Sequence, residues 1–516
     1  MRIQVTEATE PMSNVANPAQ HRHFPIGAES LPQGGVHFRV WASRRERVEV
    51  ILEGEAEESE GATPHVIELT PEGGGYFSGL VASARAGMLY YYRLDGGAEF
   101  YPDPASRFQP RGPHGPSQVI DPGPFPWTDG GWPGIRLEGQ VIYEMHLGTF
   151  TRAGTWEAAS HELQVLADAG ITLLEVMPVA EFAGSFGWGY DGVDLFAPSH
   201  LYGAPDDCRR FVDRAHAVGL GAILDVVYNH VGPDGNYLEQ FSPEYFTDRY
   251  ATEWGKAINF DGPLAGPVRE FFLSAMVAMT GRRETYYTDY WGTPQEFISA
   301  LKWGYLYQGQ RYKWQQKRRG TPMLFQGQEF GASSPFCYFA DHDPELAELV
   351  RQGRAAFLRQ FPSLASPEIQ MSLPNPTDPS TFERSKLDFA DRQHHAETYA
   401  LHRDLLQLRR QDPVFRAQRP GGLDGAVLGP EAFVLRFFGD HGDGRLLIVN
   451  LGRDLHLDPA PEPLLAPPEN RRWQILWSSE DPRYGGGGTR PLETEDNWQV
   501  PGEVAVVLHP TASEDQ

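Results

Sequence analysis

Cysteine is nearly missing from this chain: its 516 residues contain two, Cys208 and Cys337. Two cysteines build no disulfide framework, which suits a reducing compartment, so a cytoplasmic location is expected. Long apolar runs are missing too. No stretch approaches the roughly 20 residues that a membrane-spanning helix needs. The opening MRIQVTEATEPMSN has neither the basic nor the apolar region of a secretion signal. A membrane is therefore not an expected partner. Positive charge is scarce, with 44 Lys and Arg against 69 Asp and Glu and a net charge of −25. Such a surface repels phosphate backbones, which argues against nucleic acid as a partner. A neutral polysaccharide is not repelled.

What remains is an ordinary globular composition, 40% hydrophobic and 22% charged. The length exceeds a single core and implies roughly two to four domains. Residues 1–20 read as a flexible polar arm. GVHFRVWAS (35–43), RVEVILEG (47–54), GYFSGLVAS (75–83) and MLYYYRLDGG (88–97) alternate like antiparallel strands, which predicts a small β-sandwich over 21–122. A linker rich in Pro and Gly follows. Then a strand–helix rhythm begins. QVIYEMHL (140–147) reads as a strand, HELQVLADAG (161–170) as a helix closed at Gly170, and ITLLEVMPVAE (171–181) as a second strand. CRRFVDRAHAV (208–218) has helical spacing and leads into GLGAILDVVYNH (219–230). There Leu224, Val226 and Val227 predict a fully buried strand of a parallel sheet. Asn229 and His230 stand where that strand gives way to its loop. In a (β/α)8 barrel, that end carries the active site.

The rhythm then breaks. GPVREFFLSAMVAMTG (266–281) and TPQEFISALKWGYL (293–306) read as helices, the second opened by a capping box from Thr293 to Glu296. RYKWQQKRRG (311–320) is a basic patch, and no strand is predicted between 231 and 320. TPMLFQGQEF (321–330) supplies one more strand, and the chain is then mostly helical to about residue 410. AFVLRFFG (432–439), RLLIVNLG (445–452), RWQILWSS (472–479) and VAVVLHP (504–510) predict a second β-sandwich. The expected fold is a multidomain α/β protein. It has an N-terminal β-sandwich, a (β/α)8-type catalytic domain over 134–410 that is incomplete, and a C-terminal β-sandwich over 411–516.

DVVYNH (225–230) resembles the first signature of the α-amylase superfamily of glycoside hydrolases. VIYEMHLGTFTRAGTW (141–156), GWGYDGVDLFAPSHLYG (187–203), GYLYQGQRYKWQQKRRGTP (304–322) and PMLFQGQEFGASSPF (322–336) resemble one branch, the malto-oligosyltrehalose trehalohydrolases, glycoside hydrolase family 13. The resemblance covers roughly residues 20–510. It implies a carbohydrate-binding-like sandwich ahead of the barrel, a maltooligosyltrehalose or other α-glucan substrate, and neither a metal nor an organic cofactor. It implies that Tyr190 stacks on a glucose ring, that Asp191 accepts sugar hydroxyl bonds and that His230 donates to one. Asn229 and Asp225 brace the loop, and Asp225 reads equally as a buried carboxylate satisfied by backbone donors. Trp188 is a sugar platform or a loop-packing residue. Tyr307, Arg311 and Lys313 belong to a loop near the reducing end of the substrate, or to a solvated basic face.

Retaining glycosidases need two carboxyl groups ~5–5.5 Å apart. The resemblance puts the nucleophile in a Gly-x-Arg-x-Asp motif on the fourth barrel strand, the acid on a Glu ending the fifth, and a third Asp after Asn-His on the seventh. None of these motifs occurs here in that setting, and strands four to seven have no counterpart. Arg93-Leu94-Asp95 lies in the N-terminal sandwich, Asp341-His342-Asp343 follows the last strand, and Glu329 ends a strand the family does not use for chemistry. The catalytic residues are therefore unassigned. The expectation is an incomplete barrel, with trehalose release in doubt. Two internal deletions in a longer family member give the simplest account of the junctions; engineering, artefact and divergence are alternatives. The competing functions are hydrolysis of maltooligosyltrehalose, α-glucan binding without turnover, and a related branching or debranching activity.

Overall fold

The computed structural model describes residues 22–53, 65–136, 139–252, 255–280, 322–361, 364–417, 419, 422–493 and 497–512. The arm 1–20, the helix over 293–306 with its capping box, the basic patch 311–320 and the loop of Tyr307, Arg311 and Lys313 lie outside them.

Alternation of apolar and polar residues builds the N-terminal sandwich. Val36–Trp41 pairs with Tyr76–Val81, and Val48–Leu52 with Leu89–Leu94, each antiparallel. Each pair is the centre of a four-stranded sheet. Val36, Phe38 and Val40 from one sheet meet Val50, Tyr90 and Tyr92 from the other in a single core. That core also takes in Phe241, fully buried, from the short helix Leu238–Phe241 of the next domain. The two domains share more aromatic packing, since Trp41 lies 5.0 Å from Tyr245, which lies 5.1 Å from Phe271. The sandwich is thus seated on the barrel domain.

The middle domain is organised on four parallel strands in the order Gly221–Leu224, Leu173–Val176, Ile142–Met145, Met323–Phe325. These are the first three strands and the last strand of the sequence reading, side by side. Among the described residues no further strand joins them. Tyr143, Met145, Leu174 and Val176 point to the covered face, where Trp156, Leu166 and Phe211 from the helices Trp156–Ser160, Leu163–Ala169 and Pro205–Ala217 complete the core. Gly170 ends the second of these helices at φ 105°, the left-handed C-cap its position predicts.

Two expectations need correcting. The third strand is shorter than predicted and is not fully buried: it ends at Leu224, and Val226 is 40% exposed. It pairs on one side only, with Leu173–Val176, so one edge and the inner face have no strand against them among the described residues. Strands also occur between 231 and 320. Phe246–Thr252 and Gly255–Ile258 form an antiparallel hairpin with an irregular register. Its polar FTDRYAT side hides the alternation, and being antiparallel and local it adds nothing to the parallel sheet.

The helix Ala265–Thr280 lays Phe271 against Phe196 at 5.1 Å. Helices from Pro344–Leu358 to Ala396–Gln411 follow the last barrel strand. The C-terminal sandwich sets a five-stranded antiparallel sheet, ordered Leu423–Gly429, Ala432–Phe437, Arg445–Asn450, Val504–Ala512, Arg471–Ser478, against the pair Leu455–Leu457 and Trp498–Val500. Phe271 is 1% exposed and touches the aromatic ring system that joins the first two domains. Phe271→Ala is expected to cost about 3–5 kcal/mol and to lower the first melting transition in calorimetry. An unchanged melt would refute this account of the interface.

Candidate functional site

Three strand ends converge on one loop, residues 187–192, which follows the second barrel strand. His146 directly follows the first strand, and its Nε2 lies 2.9 Å from the Gly187 carbonyl. His230 follows the third strand, and its Nε2 lies 2.8 Å from the Tyr190 carbonyl. A carbonyl only accepts, so each Nε2 carries a proton and donates it. Burial pushes the His146 imidazole down to about 4, so it is neutral at physiological pH. The backbone of the loop passes so close to its neighbours that side chains are excluded. A Cβ on Gly189, at φ 97°, would fall 2.0 Å from the Pro178 carbonyl oxygen, and one on Gly232 would fall 2.0 Å from that of Asp191.

The loop after the last strand closes against the same segment. The Asp341 backbone N–H donates to the Phe186 carbonyl at 2.9 Å, and the Ser185 N–H donates to the Asp341 carboxylate at 2.7 Å. The Trp188 indole donates to the Cys337 carbonyl at 2.9 Å and stacks on Phe336 at 5.2 Å.

The structure brings Tyr190, Asp191 and His230 together at the C-terminal ends of the second and third strands. Tyr190 and Asp191 are half-buried, and Asn229 is exposed beside His230, with its Oδ1 3.1 Å from Nδ1. Burial raises the Asp191 carboxyl, while His342 and His230 pull it the other way. His230 itself is 7% exposed and spends its Nε2 proton on the Tyr190 carbonyl. In this structure it therefore holds the loop in place, whereas the resemblance implies donation to a sugar. Trp188 is engaged in packing against the last loop. Asp225 comes one residue after the third strand, and its N–H donates to the Val176 carbonyl at 2.9 Å.

Two features escaped sequence reasoning. His342, inside the dismissed Asp341-His342-Asp343 triple, places its Nε2 3.8 Å from Asp191 Oδ2. Nothing in the local sequence signals this, because the pair joins two loops far apart in the chain. The second feature is the inner face of the sheet. Glu144 and Glu175 are direct register partners on adjacent strands. With Asp225 they make a group of partly buried carboxyls, and burial followed by the Asp225 charge raises Glu144. Burial first, then Asp225 and Glu144, push Glu175 up to about 7. The signal was present, as an acidic residue at the alternate position of two otherwise apolar strands. Among the described residues, no three His, Cys, Asp or Glu side chains are grouped to hold a metal ion.

The remaining carboxylates are held elsewhere. Arg93 bonds Glu49, and Asp95 accepts from the Glu46 and Arg47 backbone, both within the N-terminal sandwich. Glu329 is 1% exposed, and both its oxygens lie 3.0 Å from the Tyr143 hydroxyl on the covered face of the sheet. It cannot face Asp191 across a cleft. Burial raises Glu329 from 4.5 to about 7. A raised carboxyl binds its proton more tightly in the folded state, so its contribution is full below about pH 4.5 and lost as pH rises to about 7. Glu329→Gln removes that titration. The stability of the native protein relative to this variant is expected to fall by on the order of 3 kcal/mol between pH 4.5 and 7. Parallel denaturation curves for the two proteins across that range would contradict the assignment.

Comparison with known proteins agrees with this architecture. Residues 126–293 match the model of the α-amylase catalytic domain, and 420–496 match a domain of unknown function, DUF3459. The malto-oligosyltrehalose trehalohydrolase of Deinococcus radiodurans is 33% identical, over 84% of this chain and 91% of that protein. That of Rhizobium sp. is 30% identical, over 86% of this chain and 96% of that protein. The crystal structure of a putative α-amylase from Salmonella typhimurium aligns with a TM-score of 0.72 at 27% identity, covering 94% of this chain and all of that one. The pullulanase from Bacillus acidopullulyticus, 16% identical with a TM-score of 0.63 over 96% of this chain and 76% of that one, shares the fold alone. The Deinococcus match extends over 570 positions, more than this chain's 516 residues and well beyond the 84% of them that it includes. That relative has residues at many positions where this chain has none. With the half-barrel, its clamped loop and relatives matched over nearly their full length, the chain belongs to the malto-oligosyltrehalose trehalohydrolase family of the α-amylase superfamily.

Proposed function

We propose that this chain serves the reaction its relatives are named for: hydrolysis of the α-1,4 bond next to the terminal trehalose of maltooligosyltrehalose, releasing trehalose. The observation that carries this reading is the clamped loop, which presents Tyr190 and Asp191 at the strand ends where such barrels bind substrate. In this reading the Tyr190 ring stacks on a glucose of the maltooligosyl part, and Asp191 accepts its hydroxyl protons. His230 and Asn229 hold the loop, Asp225 braces the third strand's exit, and Trp188 fixes the loop's outer turn. Two free cysteines support a cytoplasmic setting. Among the described residues no helix is long and apolar enough to cross a membrane.

A second reading, α-glucan binding without turnover, has its own support. Hydrolysis with retention needs two carboxyls facing across the bond. Among the described carboxylates, Asp191 is at the cleft while Glu329 is bonded to Tyr143 on the other face of the sheet. Holding substrate and transition state equally well does not accelerate the chemical step.

Two measurements test these readings. Tyr190→Ala is expected to weaken maltotriose binding by roughly 1–3 kcal/mol, the worth of one stacked ring. Unaltered affinity in a folded variant would remove Tyr190 from the sugar site. Incubation of the purified protein with maltooligosyltrehalose decides about turnover. Trehalose above background establishes hydrolysis, whereas maltotriose binding without trehalose establishes the second reading. Failure of both sinks the sugar site altogether.

A further inference from the structure

The triple Asp341-His342-Asp343 is divided among three tasks. Asp341 ties the last loop to Ser185 and Phe186. Asp343 caps the helix Pro344–Leu358, accepting from the backbone of Glu345 at 3.0 Å and of Leu346 at 3.2 Å. His342 is held between these two anchored neighbours. Its direction is therefore set by the backbone on both sides, and it faces Asp191.

The Nε2–Oδ2 separation of 3.8 Å is too long for a direct hydrogen bond. It is the right size for one oxygen atom to sit beside both groups, about 2.8 Å from each. A sugar hydroxyl is such an atom, being donor and acceptor at once. A carboxylate satisfies only its donor half, and an imidazole N–H satisfies the other. Both side chains are mostly shielded, 10% exposed for His342 and 23% for Asp191, so little water competes.

We propose that His342 and Asp191 together grip a single hydroxyl of the bound α-glucan, His342 donating to its oxygen and Asp191 accepting its proton. The proposal rests on the sugar-site reading above and adds a specificity residue to it, drawn from the loop after the last strand.

The test is a mutant cycle read by maltotriose affinity, with thermal melts as the folding control. His342→Ala is expected to weaken binding about tenfold, the scale of one hydrogen bond to a charged or polar partner. His342→Gln, which keeps an N–H donor, recovers most of that loss. The double variant Asp191→Ala with His342→Ala loses clearly less affinity than the losses of the two single variants added together. Strict additivity, or no rescue by glutamine, overturns the proposal and leaves His342 a packing residue. Should the native protein bind maltotriose and lose affinity on Tyr190→Ala, yet ignore His342→Ala, this proposal falls while the sugar site stands. Should the native protein neither bind maltotriose nor release trehalose, both fall together.

Discussion

Two imidazole-to-carbonyl hydrogen bonds set the geometry on which the rest of the site depends. The second strand lies between the first and the third in a parallel sheet, with Leu173 in register with Ile142 on one side and Gly221 on the other. That register delivers His146 and His230 to opposite flanks of the loop that the second strand feeds. Each donates to a backbone carbonyl, so the loop is held through its main chain on both flanks. The bond from His146 is insensitive to pH across the physiological range because burial keeps the ring neutral. The close approaches at Gly189 and Gly232 follow from the same constraint, since a loop pinned at both ends passes within contact of Pro178 and of the third strand's exit.

The clamp also explains why the two halves of the chain meet here. Trp188 and Asp341 lie about 150 residues apart in sequence, yet both serve the seam between the second strand's loop and the last strand's loop. In a closed barrel those loops are neighbours around the rim because strands eight, one, two and three are consecutive. The four strands keep that order, and the rim keeps its local shape. The rim residues can therefore keep their arrangement on one arc of a barrel whose other arc is not represented among the described residues.

The inner face shows the cost of the open side. Glu144, Glu175 and Asp225 share it; burial raises all three, and the neighbouring carboxylates raise Glu144 and Glu175 further. Met323, on the strand at the opposite edge, is 45% exposed. A barrel interior is normally filled by side chains from every strand. Here the acidic group faces space that the four strands do not fill.

Much was legible in the residues. Alternation marked the sandwich strands from Val36–Trp41 to Val504–Ala512, helical spacing marked Pro205–Ala217, and Gly170 marked a helix end. These are local signals, and periodicity or a required backbone angle carries them. The convergence of Tyr190, Asp191 and His230 was legible only as a resemblance, through GWGYDG and DVVYNH. What the chain could not reveal locally was partnership. Val226 has the character of a buried strand residue, and whether it is buried depends on a neighbouring strand elsewhere. Glu329 and Asp191 look alike as acidic residues near strand ends, and only the helical turn Gln328–Phe330 after the last strand, which brings Glu329 to Tyr143 on the covered face, sends one to the core and leaves the other at the cleft. His342 read as a stray member of a decoy motif until two loops folded against each other. Sequence by itself determined most of the elements and their order, and pointed to the family. Tertiary structure decided which side chains meet, because hydrogen bonds and burial act between residues that are distant along the chain.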